Sequence, residues 1–336
     1  MNIKKIIVGL LIVFFITGGR KLDAKVANYI VMDANSKLVL KGNNINEQFL
    51  TASICKVLTA IIVLENCDID EEIIVTPKDL QVTGSSVYLT VGEKITYRSL
   101  IYGLMLRSGN DCALTLANHA FGNYDYFILM MNDYAKRLKM TNSSFNNPSG
   151  LDEDTTNYST LYDMALLSAY CSYNKEFIMI NQTKRYAVKT NEKNYLWQNK
   201  HRLILNNPYV IGGKTGFTKK AGRTLITMAQ KDDKQIVCVS FKIGDDFNLH
   251  NNLINDVLNS YQKTRVLRKG IYRNDLNLEY FTYLENDLYY LLPKKNEIEI
   301  VFFLFETPKN DGVCGYISIK INDFTIKEQL KSYNHK

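Results

Sequence analysis

The chain has 336 residues, 46% hydrophobic and 22% charged, which suits one substantial core plus a smaller unit and excludes wholesale disorder. Its formal net charge is +7, but no basic run interleaved with aromatics marks a nucleic-acid groove. The excess charge therefore reads as a surface property suited to an anionic cell envelope.

The chain opens with MNIKKIIVGLLIVFFITGGRK, in which two lysines precede an apolar run from Ile6 to Ile16. The run is short for a membrane span and fits the apolar core of a signal peptide, so residues 1–24 are expected to be a leader and the body exported. An uncleaved membrane anchor is the alternative. VANYIVMDA and SKLVLKGN then read as two strands joined at Asn35-Ser36. Residues 53–65 carry apolar side chains at helical spacing, with Thr51 or Ser53 available to cap the helix. Several helices follow between 97 and 170, separated by loops rich in Asn, Ser and Gly. YVIGGKTGF, RTLITMAQ and KQIVCVSFKI read as three strands, and a helix is expected at about 246–263. Strands at both ends with helices between them predict an α+β domain over residues 25–265, an antiparallel sheet flanked by helices. Past Arg268 short alternating runs predict a small all-β domain over 268–336.

Six cysteines (55, 67, 112, 171, 238 and 314) form no CxxC pair and no metal-ligand spacing with histidine, which predicts buried free thiols and neither metal nor cofactor. None of the four histidines stands in a recognisable Cys-partner context, and each reads as a surface or capping residue. A cysteine hydrolase built on Cys55 would lack its imidazole.

S-x-x-K occurs three times, at Ser53/Lys56, Ser172/Lys175 and Ser260/Lys263. Only Ser53 opens a strongly apolar helix, where residues three apart share a face and bring an ammonium group near a hydroxyl. A serine needs a base to take its proton, and a lysine serves only if burial or a neighbouring cation lowers its pKa. The single K-T-G, Lys214-Thr215-Gly216, follows an apolar run and supplies such a cation on a strand whose glycines admit a substrate backbone. Between them RSGND places Ser108 and Asn110 on a loop between helices.

The order decides the matter: S-x-x-K on a helix, S-x-N about 55 residues later on a loop, K-T-G about 105 further on a strand. With that order the chain resembles the penicillin-recognising serine D,D-peptidases. It is most similar to the low-molecular-weight D-alanyl-D-alanine carboxypeptidases, serine peptidase family S11. SGNDCALTLANHAFG, FNNPSGLDE, YSTLYDMALL and WQNKHRLIL leading into GGKTGFTKKAGRTLIT extend the likeness from about Ala27 to Tyr261. FETPKNDGVCGYISIKIND carries it into the C-terminal β-domain. The resemblance implies a β-lactamase/transpeptidase-like fold and removal of terminal D-alanine from peptidoglycan stem peptides, with β-lactams as covalent inhibitors. It implies Ser53 as acyl-ester nucleophile, Lys56 as general base and Ser108 as proton relay. Asn110, Lys214, Thr215 and Gly216 would bind substrate, Lys214 also lowering the pKa of Lys56. The backbone N–H groups of Ser53 and Phe217 would form the oxyanion hole.

The chain departs from the family pattern at Thr51-Ala52, where Pro-Ala is usual, at Cys55, where Thr is usual, and at Thr155 to Asn157 before YST. It ends at KEQLKSYNHK without a long amphipathic helix, so loose membrane association is expected to depend on the leader. A serine β-lactamase would share Ser53, Lys56 and Lys214 but needs a fast deacylation base, in class A enzymes a glutamate in an E-x-x-L-N context, which Glu153, Glu176 and Glu192 lack. A non-catalytic cell-wall-peptide binder is the other alternative, and the three intact motifs argue against it.

Overall fold

The computed structural model describes residues 3–8, 27–272, 281–294, 298–305, 307–309, 311–321 and 324–333. It divides into two compact units, one ending at Asn259 and the other beginning at Ser260 and including the strand Ile3–Val8.

The first unit is built on a five-stranded antiparallel sheet in the order Val210–Thr218, Gly222–Lys231, Lys234–Phe241, Asn28–Asp33, Val39–Asn43. Leu225 to Ala229 and Ile236 to Phe241 are buried without alternation, because both faces of these central strands are covered. The helices are α1 (Lys56–Asn66), α2 (Tyr97–Tyr102), α3 (Asn110–His119) and α4 (Tyr124–Arg137), then α5 (Leu161–Cys171), α6 (Lys175–Asn181), α7 (Arg202–Asn206) and α8 (Asp246–Ser260). Every residue of α1 from Lys56 to Val63 is buried. An all-round apolar helix belongs inside a protein, and each fully buried branched side chain stabilises it by about 1.5–3 kcal/mol. That surplus offsets the cost of carrying a lysine into the same interior.

Two local outcomes differ from the sequence reading. Ser53 lies in a 3₁₀ turn, Ala52–Cys55, and α1 proper begins only at Lys56. Neither Thr51 nor Ser53 caps the helix: the Thr51 hydroxyl donates to Ala52 O at 3.1 Å, and the turn itself supplies the first helical bonds. The last helix stops at Ser260 because Tyr261–Leu267 leaves it as a strand pairing with Leu288–Pro293.

That pair lies with the second unit, whose remaining described strands form an antiparallel sheet in the order Ile3–Val8, Ile298–Phe305, Val313–Ile321, Phe324–Tyr333, Phe281–Leu284, Gly270–Tyr272. Cys314, Ile317, Ile319 and Leu330 are fully buried in it. Of the expected leader, residues 1–2 and 9–24 lie outside the described residues, and Ile3–Val8 pairs with Ile298–Phe305. Among the described residues no helix is long and apolar enough to cross a membrane. The cysteines are free, all buried except the half-buried Cys67.

Candidate active site

The turn carrying Ser53 is clamped from both sides. Thr51 N donates to Asn157 O at 3.1 Å, and Thr224 Oγ1 on the sheet donates to Thr51 O at 3.1 Å. Ala52 takes a left-handed φ of 46°, which the clamps hold in place. In a 3₁₀ turn residues three apart eclipse one another more closely than in an α-helix. Lys56 Nζ accordingly lies 2.9 Å from Ser53 Oγ. It also donates to Asn110 Oδ1 at 2.7 Å and to Ser149 O, so three acceptors match the three hydrogens of an ammonium group. Lys56 is wholly buried, and burial pulls its pKa down to about 8; Lys200 adds a smaller push in the same direction, against Cys55 and Cys112.

The second half of the site comes from the S-x-N loop and the K-T-G strand. After α2 the chain makes a wider π turn, Gly103–Arg107, and ends it on Ser108 in the left-handed region, φ 64° and ψ 32°. Asn110 N donates to Ser85 O at 2.7 Å and its Nδ2 to Thr83 O at 2.6 Å, which turns Oδ1 towards Lys56. Asp111 secures the loop beneath by accepting from Val87 N, Leu89 N and Ser86 Oγ. Lys214 Nζ donates to Ser108 Oγ at 2.9 Å and to Thr215 O at 2.6 Å. Burial first, then Lys56 and Lys200, hold the Lys214 ammonium well below the ordinary lysine range.

The strand Val210–Thr218 is at the edge of its sheet, where a main chain can offer hydrogen bonds to an extended ligand. Gly216 rests against the Ser53 turn: a methyl group built on it would lie 2.9 Å from Ser53 N and 2.3 Å from Thr224 Oγ1. Any larger residue would push the strand off the nucleophile's backbone. Thr215 is half-buried and Phe217 is 65% exposed.

Ser53, Lys56 and Asn110 thus meet in one cluster, Ser108 and Lys214 in another, and Gly216 abuts Ser53. Ser149 is the site contact that the sequence reading missed. Its carbonyl is presented by the turn FNNPSGLDE, where Asn147 Oδ1 accepts from Ser149 N at 3.1 Å and Gly150 N at 2.6 Å. Asn157 Oδ1 accepts from Asn146 N and Asn147 N, and its Nδ2 donates to Asn147 O. Asn-Pro-Ser-Gly is a turn signature, so the turn was findable; its proximity to Lys56 was not. Cys55 is fully buried with its Sγ 4.0 Å from Pro148 O, and burial pushes its thiol up. Two of the histidines, His201 and His250, depart from the surface or capping role expected of them. His201 and His250 are buried and hydrogen-bonded, His119 pairs with Asp79 at 3.0 Å, and His335 lies outside the described residues. Glu153 meets Thr83 Oγ1, Glu176 pairs with Arg98 and Glu192 accepts from Asn191.

The family model for D-alanyl-D-alanine carboxypeptidases, Peptidase S11, matches residues 17–244. The chain belongs to this family. Over 218 residues it is 29% identical to a D-alanyl-D-alanine carboxypeptidase of Bacillus subtilis, a match covering 63% of this chain and 56% of the relative. A Mycobacterium tuberculosis carboxypeptidase is 32% identical over 216 residues, covering 64% and 74%. The crystal structure of a D-alanyl-D-alanine carboxypeptidase from that organism superposes with a TM-score of 0.61 at 32% identity, over 63% of this chain and 81% of its own. A Francisella tularensis D-alanyl-D-alanine carboxypeptidase superposes over 98% of this chain and 97% of its own, with a TM-score of 0.77 at 22% identity. At that identity the likeness speaks for the fold, and it extends the carboxypeptidase fold through the C-terminal β unit.

Proposed function

We propose that the protein is an exported serine-type D-Ala-D-Ala carboxypeptidase that removes the terminal D-alanine from peptidoglycan stem peptides and is acylated by β-lactams. The observation that carries this reading is the pairing of Ser53 Oγ with a buried Lys56 Nζ at 2.9 Å, in a member of this family. With Lys56 neutral, the same contact runs from the Ser53 hydroxyl to the amine lone pair.

Ser53 Oγ attacks the carbonyl carbon of the penultimate D-alanine as its proton passes to Lys56 Nζ. The oxygen that gains the charge accepts from Ser53 N and Phe217 N, each donor contributing about 3 kcal/mol. Collapse breaks the C–N bond, and the Lys56 proton reaches the leaving nitrogen through the Ser108 hydroxyl. Free D-alanine departs, its carboxylate having been held by Lys214 and Thr215. Water then attacks the Ser53 ester, again with Lys56 as base, and releases the shortened peptide. Asn110 orients the substrate amide and Gly216 lets the peptide lie along the strand edge. The leader over residues 1–24, the catalytic domain over 25–265 and the β-domain over 268–336 complete the proposal, with action outside the cytoplasmic membrane.

A fluorescent penicillin should label the protein through denaturation, and Ser53→Ala should abolish the label. D-alanine should appear on incubation with a muramyl pentapeptide. Persistent labelling of Ser53→Ala, or penicillin turnover faster than peptide turnover, would overturn the reading.

A further inference from the structure

On the face of the K-T-G strand opposite Lys214 lies a chain of uncharged, buried side chains that no step above uses. His201 Nε2 is 2.9 Å from Ile226 O and 3.0 Å from Thr227 Oγ1. A carbonyl oxygen only accepts, so Nε2 carries the ring's hydrogen. Thr227 Oγ1 is in turn 2.8 Å from His250 Nδ1, and His250 Nε2 is 2.9 Å from Ser240 Oγ. With the His201 hydrogen entering Thr227, the Thr227 hydroxyl donates to His250 Nδ1. His250 Nε2–H is then left to donate to Ser240. The four side chains are each 1% exposed or less, and burial pulls the His201 pKa down to about 4 and His250 well below its usual range. Both rings are therefore neutral, as this one-way chain requires.

The register ties this chain to Lys214. Gly213 pairs with Thr227 and Lys214 with Ile226, and directly paired residues share a face. A methyl group built on Gly213 would lie 2.5 Å from His201 Nε2 and 2.7 Å from its Cδ2, so this edge of the imidazole abuts the backbone one residue before Lys214. The same N–H bonds the carbonyl of Lys214's cross-strand partner. Phe247 of α8 meets the ring edge-on at 5.3 Å between centroids, which closes the far side. The ring is thus a spacer of fixed thickness between the helices and the strand that aims Lys214 Nζ at Ser108.

We propose that His201, oriented through Thr227 and His250, is a positioning residue for Lys214. The inference rests on the reading above that Lys214 and Ser108 act together on the substrate. His201→Leu keeps the bulk and loses the donor, while His201→Gln returns an N–H near the position of Nε2. Acylation by benzylpenicillin, normalised to folded protein, should fall about tenfold in His201→Leu and stay within about threefold of the parent in His201→Gln. In a Lys214→Ala background His201→Leu should have no further effect, the signature of a residue acting through Lys214. Should His201→Leu fail to fold, Thr227→Val breaks the same chain at constant shape and is measured the same way. Equal losses in both backgrounds would sink the proposal. So would a crystal structure of the variant in which Lys214 Nζ keeps its 2.9 Å contact with Ser108 Oγ. The structural readout is independent of turnover, whereas a parent protein that takes no penicillin would defeat the proposed function instead.

Discussion

The two buried lysines are alike in burial and opposite in circumstance. Lys56 stands at the head of an apolar helix with three oxygen acceptors around its Nζ, and its pKa stays near 8. Lys214 stands on an edge strand with one hydroxyl and one carbonyl, and burial, then Lys56, hold its ammonium well below the ordinary lysine range. Acceptors favour the charged form, whereas burial and like charge disfavour it. The family resemblance gave Lys214 the task of lowering Lys56. In the folded chain the leading cause at Lys56 is its own burial, and the like-charge repulsion between Lys56 and Lys214 is shared by the pair. An amine that titrates close to neutrality suits proton transfer, so the helix side carries the base. The strand side is suited to recognition and relay.

The largest test of this contrast is removal of the base. Lys56→Ala should slow acylation by roughly 10²–10⁴-fold, the usual worth of general-base catalysis, as read by penicillin labelling kinetics. The pH profile sharpens it. Because Lys56 must be neutral to accept the serine proton, acylation should climb with pH and level off above about 8. A flat profile from pH 6 to 9 would remove Lys56 from the role. Lys214→Ala should cost roughly 10–100-fold in kcat/KM, the scale of one hydrogen bond from a charged group. Its inflection should move up, since removing a like charge favours the ammonium form of Lys56; an unchanged inflection would leave burial as the cause and take Lys214 out of the charge-tuning role. Smallest is Cys55→Ala, which should keep acylation intact and lower stability by roughly 1 kcal/mol, as for loss of a methyl-sized group from a core. Chemical denaturation combined with penicillin labelling measures both.

Much of the α+β architecture was legible in the sequence. Strand Asn28–Asp33, the apolar α1 and the run of strands from Val210 to Phe241 all follow from periodicity and turn residues. The three motifs were legible through their order, which chain chemistry makes readable without any coordinates. Less legible was the exact form of the Ser53 turn, since a 3₁₀ start and an α start differ by one hydrogen-bond register and have the same composition. The carbonyl of Ser149 left no mark either, because every residue has one. His201 and His250 looked like surface residues because a polar side chain reveals nothing of its partners until strands and helices close around it.

By itself, then, the sequence determined which residue types could do acyl-transfer chemistry, and that Ser53, Ser108 and Lys214 would stand at the start of a helix, on a loop and on a strand. Local pattern suffices for that, since it depends on neighbours three or four positions away. Only the tertiary structure decided that Lys56 would be desolvated, that Asn110 Oδ1 and Ser149 O would receive it, and that a neutral imidazole would back Lys214. Burial and electrostatic coupling belong to groups far apart in the chain. They act strongly only once water is excluded between them.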